Sequence, residues 1–138
     1  MVKSEIIIEC SKDHFLDIVW NFKEYPKFLK EVKSVDVKEL GEGECEVTYE
    51  IDLIKRIRYT LKMKRLPNRI EWTFVRGDMM KDNKGSWEVE ELGDGKIKVI
   101  YQVDIKFGFL VPGSVVDMLT KVNLPQMLNA FKSQAERT

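Results

Sequence analysis

One histidine, two cysteines and four prolines are all that 138 residues hold of three types that signal chemistry, redox context and chain breaks. Each scarcity excludes something. A lone imidazole, His14, cannot build a histidine-rich metal centre. To act as an acid–base catalyst it would need a hydroxyl, thiol or carboxylate partner and a pocket in front of it. It falls in the first turn of a helical segment, beside the apolar stripe, and reads as a surface or boundary residue. Cys10 and Cys45 show neither a disulfide framework nor a metal-ligand spacing, and each lies on the apolar phase of a strand, as buried thiols do in a reducing cytoplasm. There is no nucleophile elbow, phosphate-binding glycine loop or metal-ligand pattern, so no catalytic residue, metal or cofactor is expected. Net charge is also missing, since 23 Lys plus Arg balance 23 Asp plus Glu. Without a basic block, nucleic acid is a poor partner. The longest apolar run, Phe107 to Val116, is broken by Gly108, Pro112 and Gly113 and is far shorter than the roughly 20 residues of a membrane span. No signal-peptide pattern precedes the first strand, and a soluble cytoplasmic protein is the expectation.

What the chain does have is alternation. Cys45, Val47, Tyr49, Ile51 and Leu53 alternate with acids and Thr48, and Ile57, Tyr59, Leu61 and Met63 alternate with bases and Thr60. That is a pair of strands with one apolar face. The pattern resumes at Ile70, Trp72 and Phe74, at Trp87 and Val89, and from Ile97 to Phe107. Val2 to Cys10 reads as a first strand and residues 32 to 40 as a weaker one, marked by Val35 and Val37. Gly41 with Gly43, Pro67 with Asn68, and Gly93 with Asp94 and Gly95 predict hairpin turns; a further hairpin is expected between residues 53 and 56 without a turn type. On the wet face the acids of 44 to 52 oppose the bases of 56 to 64, a solvated ladder that helps set register.

Helix is scarce. Ser11 supplies an N-cap ahead of Phe15, Ile18, Val19 and Phe22, and a short turn or helix follows around Pro26, which disfavours helical geometry at Tyr25. A long segment from 113 to 136 carries Val115, Val116, Leu119, Val122, Met127, Leu128 and Phe131, with a bend expected near 121 to 125 because Pro125 interrupts it. One bent helix cannot easily fill the concavity of a broad aromatic sheet, so a cavity is expected in a single domain spanning 1 to 138.

The order of elements resembles the START-like helix-grip superfamily. Several strings resemble its coenzyme-Q-binding and polyketide cyclase/dehydrase-like branch: Tyr25-Pro26-Lys27-Phe28-Leu29, Ile51 through Lys62, Gly77-Asp78, Gly85-Ser86-Trp87, and Leu124 through Glu136. The resemblance spans roughly residues 2 to 136. It implies an α+β helix-grip fold, in which a seven-stranded curved antiparallel sheet wraps a long C-terminal helix, with two short helices after the first strand. It also implies an apolar cavity for a lipid, quinone, isoprenoid or polyketide-like molecule. Where the quinone-binding branch commonly continues into Pro-Trp-Cys, this chain continues Lys30-Glu31-Val32, so the resemblance does not extend to quinone specificity.

The candidate ligand-binding residues are therefore Phe28, Tyr49, Ile51, Tyr59, Leu61, Met63, Trp72, Phe74, Trp87, Tyr101, Val122 and Met127. Any one of these aromatics could simply fill a core; the set favours a pocket. Phe109, Leu110 and Val111, between hinge-capable Gly108 and Gly113, form either a buried crossover or a gate that touches a membrane while a ligand is loaded. The expected function is binding and carriage of a hydrophobic small molecule. The alternatives are a polyketide cyclase or dehydrase, which would need a cavity-facing acid or base, and a ribosome-associated regulator using Arg56, Arg58, Lys62, Lys64 and Arg65.

Overall fold

Alternation along the chain becomes one antiparallel sheet. The computed structural model describes residues 1–52, 55–109, 111–118, 121 and 123–138. Its strands are β1 (Val2–Ile8), β2 (Val32–Gly41), β3 (Glu44–Asp52), β4 (Arg56–Leu66), β5 (Arg69–Gly77), β6 (Met80–Gly93) and β7 (Lys96–Phe107). They lie in the order β1-β7-β6-β5-β4-β3-β2, a meander from β2 to β7 with β1 closing on β7. The sheet is curved, and the fold is the α+β helix-grip arrangement. β3 and β4 meet with Asp52 opposite Arg56, so a hairpin is present; Leu53 and Ile54 at its tip lie outside the described residues.

The charged ladder forms, with both direct and diagonal pairs. Arg56 reaches Glu50 at 3.2 Å and Asp52 at 3.6 Å, and Lys62 reaches Glu44 at 3.9 Å, while Thr48 and Thr60 share a 2.8 Å hydroxyl contact. Exposed pairs of this kind contribute roughly 0 to 1 kcal/mol each, so they set register more than stability.

Between β1 and β2 the chain crosses from one sheet edge to the other through α1 (Lys12–Trp20), a 3-10 turn (Phe22–Glu24) and α2 (Tyr25–Phe28). Ser11 caps α1 by accepting from the His14 N–H at 3.2 Å. Tyr25 differs from expectation: it is helical, at φ −54° and ψ −43°, despite preceding Pro26. Its buried hydroxyl donates to the Val19 carbonyl at 2.6 Å, and this tertiary bond outweighs a local steric preference.

The C-terminal segment is helical. It holds α3 (Gly113–Met118) and α4 (Leu124–Arg137), and Lys121 and Asn123 between them have π-helical geometry. Pro125 is the second residue of α4, and the irregular turn just before it is the kind of place where a proline is accommodated. Leu119 and Val122 lie outside the described residues.

α4 lies on the concave face and buries Leu128, Phe131 and Ala135. Polar ties hold it to the sheet edge and to α1. Lys132 Nζ donates to the Ile7 carbonyl at 2.7 Å, the Glu9 N–H donates to Glu136 Oε2 at 2.8 Å, and His14 Nε2 lies 3.1 Å from the Ala135 carbonyl. His14 thus joins two helix ends. The Glu9 N–H bond, together with Lys132, holds the Glu136 carboxyl below its ordinary value against a smaller desolvation effect. A depressed carboxyl stabilises the fold above its unfolded pKa, and that contribution is lost as pH falls through the folded value. Glu136→Gln is therefore expected to show a shallower loss of stability below about pH 4.5 than the parent chain. Urea titrations at neutral and acid pH test this, and parallel acid profiles would show that the tie carries no linkage.

Candidate functional site

Two glycines make room for two aromatics on the inner face. Gly85 lies opposite Trp72, and a Cβ there would sit 2.6 Å from the indole Cζ2. Gly77 lies opposite Tyr59, and a Cβ would sit 2.5 Å from that residue's own Cβ. Across the inner face run Tyr49 beside Tyr59, Met63 beside Trp72, and Trp87 beside Tyr101. Their rings interlock with helical ones. Phe131 of α4 stands 4.9 Å from Trp87, 5.3 Å from Tyr25 and 5.1 Å from Phe28, centroid to centroid.

The space between α4 and the sheet is not filled by these rings. A cavity of about 390 Å³ runs from Ile51, Ile57 and Phe107 on the sheet to Val116 of α3 and to Leu124 and Met127 of α4. An inner lobe of about 150 Å³ adjoins it, walled by Tyr25, Tyr49, Leu61, Met63, Trp72, Trp87 and Phe131. Leu29, Val32, Tyr59, Asn83, Tyr101, Val103, Ile105 and Met127 border both. The outer lobe alone falls in the size range of small-molecule sites and equals roughly a dozen waters.

Of the candidate ligand-binding residues, Tyr49, Ile51, Tyr59, Leu61, Met63, Trp72, Trp87, Tyr101 and Met127 line one lobe or both. Phe28 and Phe74 line neither. Phe28 packs behind Phe131, and Phe74 packs against the core from just before a register shift in which Val75 is left over between β4 and β5. Val122 and Leu110 lie outside the described residues. Phe109 stands 87 % exposed on the turn after β7, and Val111 is half-buried.

Sequence reasoning passed over Asn83, which is only 4 % exposed. Its Oδ1 accepts from Trp72 Nε1 at 2.9 Å. β5 and β6 pair only from Arg69–Trp72 to Gly85–Glu88, and Asn83 sits where the two strands part. Residues 80 to 84 carry no alternation, so nothing in the sequence placed Asn83 inside. Glu31 and Asp104 border the outer lobe as well, and neither stood on an inward phase.

The phenols are shifted together. Burial pushes Tyr59 up to about 12, and burial first and neighbouring phenols second push Tyr25, Tyr49 and Tyr101 above their ordinary value. All four stay protonated at physiological pH and act as hydrogen-bonding groups. Among the described residues, neither carboxylate nor imidazole borders the inner lobe. No cluster of three potential metal ligands occurs among the described residues, and no described helix is long and apolar enough to cross a membrane.

A groove of about 510 Å³ lies on the opposite, wet face of the sheet. It is larger than the outer lobe but charged, and its Lys62 and Arg69 are engaged by Glu44, Glu71 and Glu88. The inner cavity offers an apolar ligand far more.

A comparison with curated proteins finds no match. A family described as polyketide cyclase/dehydrase and lipid transport matches residues 8–132. Among solved structures, a START superfamily protein from Mycobacterium smegmatis aligns with a TM-score of 0.85 at 18 % identity, over 99 % of this chain and 97 % of that one. The Zhui aromatase/cyclase from Streptomyces sp. R1128 aligns at 0.86 and 15 % identity, over 99 % and 93 %. A STAR-related lipid transfer protein from Xanthomonas axonopodis aligns at 0.81 and 12 % identity, over 99 % and 85 %. At such identities the likeness is one of fold.

Proposed function

The chain belongs to the polyketide cyclase/dehydrase and lipid transport family, and from that premise we propose that residues 1–138 form one domain that binds and carries a hydrophobic small molecule. The observation that supports this most is the unfilled aromatic cavity between α4 and the sheet. Tyr49, Ile51, Tyr59, Leu61, Met63, Trp72, Trp87, Tyr101 and Met127 are the proposed ligand contacts. Phe28 and Phe74 support them from behind. Carriage rather than cyclisation or dehydration is favoured because the inner lobe offers protonated phenols, indoles and an amide, which orient a ligand but do not shuttle protons at neutral pH. A quinone, isoprenoid, lipid or polyketide-like body would each suit the walls. The reducing cytoplasm suits the two free thiols of Cys10 and Cys45. Phe109, exposed on the turn after β7, is the proposed point of membrane contact during loading.

Mass spectrometry of an organic extract of the purified protein, beside native mass spectrometry of the intact chain, tests the reading. A stoichiometric apolar molecule supports carriage. An empty protein that also takes up no neutral environment-sensitive probe overturns it and moves the case to a protein or ribosome partner.

A further inference from the structure

Among the described residues, four uncommitted side-chain donors border the inner lobe, and no lysine or arginine borders either lobe. Tyr25 and Tyr49, also in the walls, are already committed, donating to the Val19 carbonyl and the Met63 sulfur. The Tyr59 and Tyr101 hydroxyls and the Trp87 indole N–H have no acceptor among the described residues. Among the described residues no enclosed side-chain nitrogen or oxygen is left without a partner, so these donors open onto space rather than onto packed atoms. Asn83 adds the fourth. With Oδ1 engaged by Trp72, its Nδ2 faces only the Met80 sulfur at 3.9 Å, a weak acceptor.

The charged groups of the lining all belong to the outer lobe. They are Glu31, Asp104 and the Met1 ammonium, and the ammonium lies 3.8 Å from Asp104. On the way in, an anionic ligand would thus meet two acids and an ammonium already paired with one of them, and inside it would meet no side-chain cation among the described residues.

Resting on the carriage reading, we infer that the cavity selects neutral ligands bearing a carbonyl oxygen, such as an aryl ketone or quinone, and rejects carboxylates such as free fatty acids. The carbonyl accepts from Tyr59, Tyr101 or both, with the Asn83 amide and the Trp87 N–H in the same wall. Each such bond raises affinity by roughly 2- to 12-fold. A carboxylate in the same place gives up its hydration among aromatic walls and gains no counter-ion, which costs considerably more. The donors are also constant ones, since burial holds both phenols protonated well beyond neutral pH.

Acetylnaphthalene, ethylnaphthalene and naphthoate share one ring system and separate the terms. Calorimetric titration of the parent chain at neutral pH should give affinities in the order ketone, hydrocarbon, carboxylate. The ketone is expected about 10-fold tighter than the hydrocarbon and the carboxylate about 100-fold weaker than the ketone. In the double variant Tyr59→Phe, Tyr101→Phe the ketone should lose about 10-fold and the hydrocarbon nothing. Naphthoate binding as tightly as the ketone overturns this inference and leaves carriage standing, and so does a ketone indifferent to the double variant. Failure of all three probes overturns the carriage reading itself.

Discussion

Phe131→Ala is expected to cost the fold about 3–5 kcal/mol. For a domain of this size that is a fall of roughly 10–20 °C in Tm. The residue is 2 % exposed and joins α4 to everything beneath it. Its ring stands against Trp87 from β6, Phe15 from α1, and Tyr25 and Phe28 from α2. It also borders the inner lobe. Deleting it would therefore enlarge an existing void rather than open an isolated one that neighbours could close by relaxing. The cost of a large-to-small change rises with the cavity left behind, so the upper half of the range is expected. Phe28→Ala removes a ring from the half-buried side of the same contact and should cost less than half as much. Thermal unfolding of both variants decides the point. Equal, small shifts would mean that α4 is held by its polar ties to Ile7, Glu9 and His14 instead of by the aromatic cluster.

That cluster shows what the sequence reveals and what it conceals. β3 and β4 could be read residue by residue, because a half-buried strand repeats every second position and nothing else in a soluble chain imitates nine residues of it. The pairing of Glu44 with Lys64 and Glu50 with Arg58 follows the same logic, since opposite charges on the wet face fit one register. Ser11 was legible because an N-cap depends on residues within one turn. Tyr25 was misread because a local rule for proline assigns a preference to the backbone, whereas the hydroxyl bond to Val19 depends on how the chain packs.

The cavity divides along the same line. Inward-phase residues such as Tyr59, Leu61 and Trp87 could be named from periodicity, and they border it. Phe74 stood on the same phase, yet the leftover Val75 next to it shifts the register of β5 against β4. Asn83 could not be named at all. Its burial depends on β5 and β6 parting after Trp72 and Gly85, and strand separation leaves no periodic mark. Leu29 and Val32 were ordinary apolar residues in the sequence, and only the path of the chain brings them to one space.

Ile105→Trp should abolish ligand uptake while leaving the fold intact. Ile105 borders both lobes from β7 and is half-buried. An indole at that position would extend into space already present, at the join of the outer lobe and the aromatic inner one. Overpacking normally costs about 1–3 kcal/mol because neighbours must move. Here the added atoms find walls to contact, so Tm is expected to stay within about 3 °C of the parent or rise. Binding would fall steeply for any occupant of the cavity, by at least about 30-fold for a bound naphthyl ketone, since the ligand must displace a packed ring. Those two measurements belong together. Lost binding with an unchanged Tm places the ligand in this cavity, because a merely unstable variant would lose both. Retained binding would place it elsewhere, with the wet-face groove beside Lys84 and Gln102 as the next site to fill by substitution. Val103→Trp, a neighbour on the same strand bordering the same two lobes, guards against a local misfit at residue 105. If both tryptophans fold and both still bind, the aromatic faces of Tyr59, Trp87 and Tyr101 are core and not site.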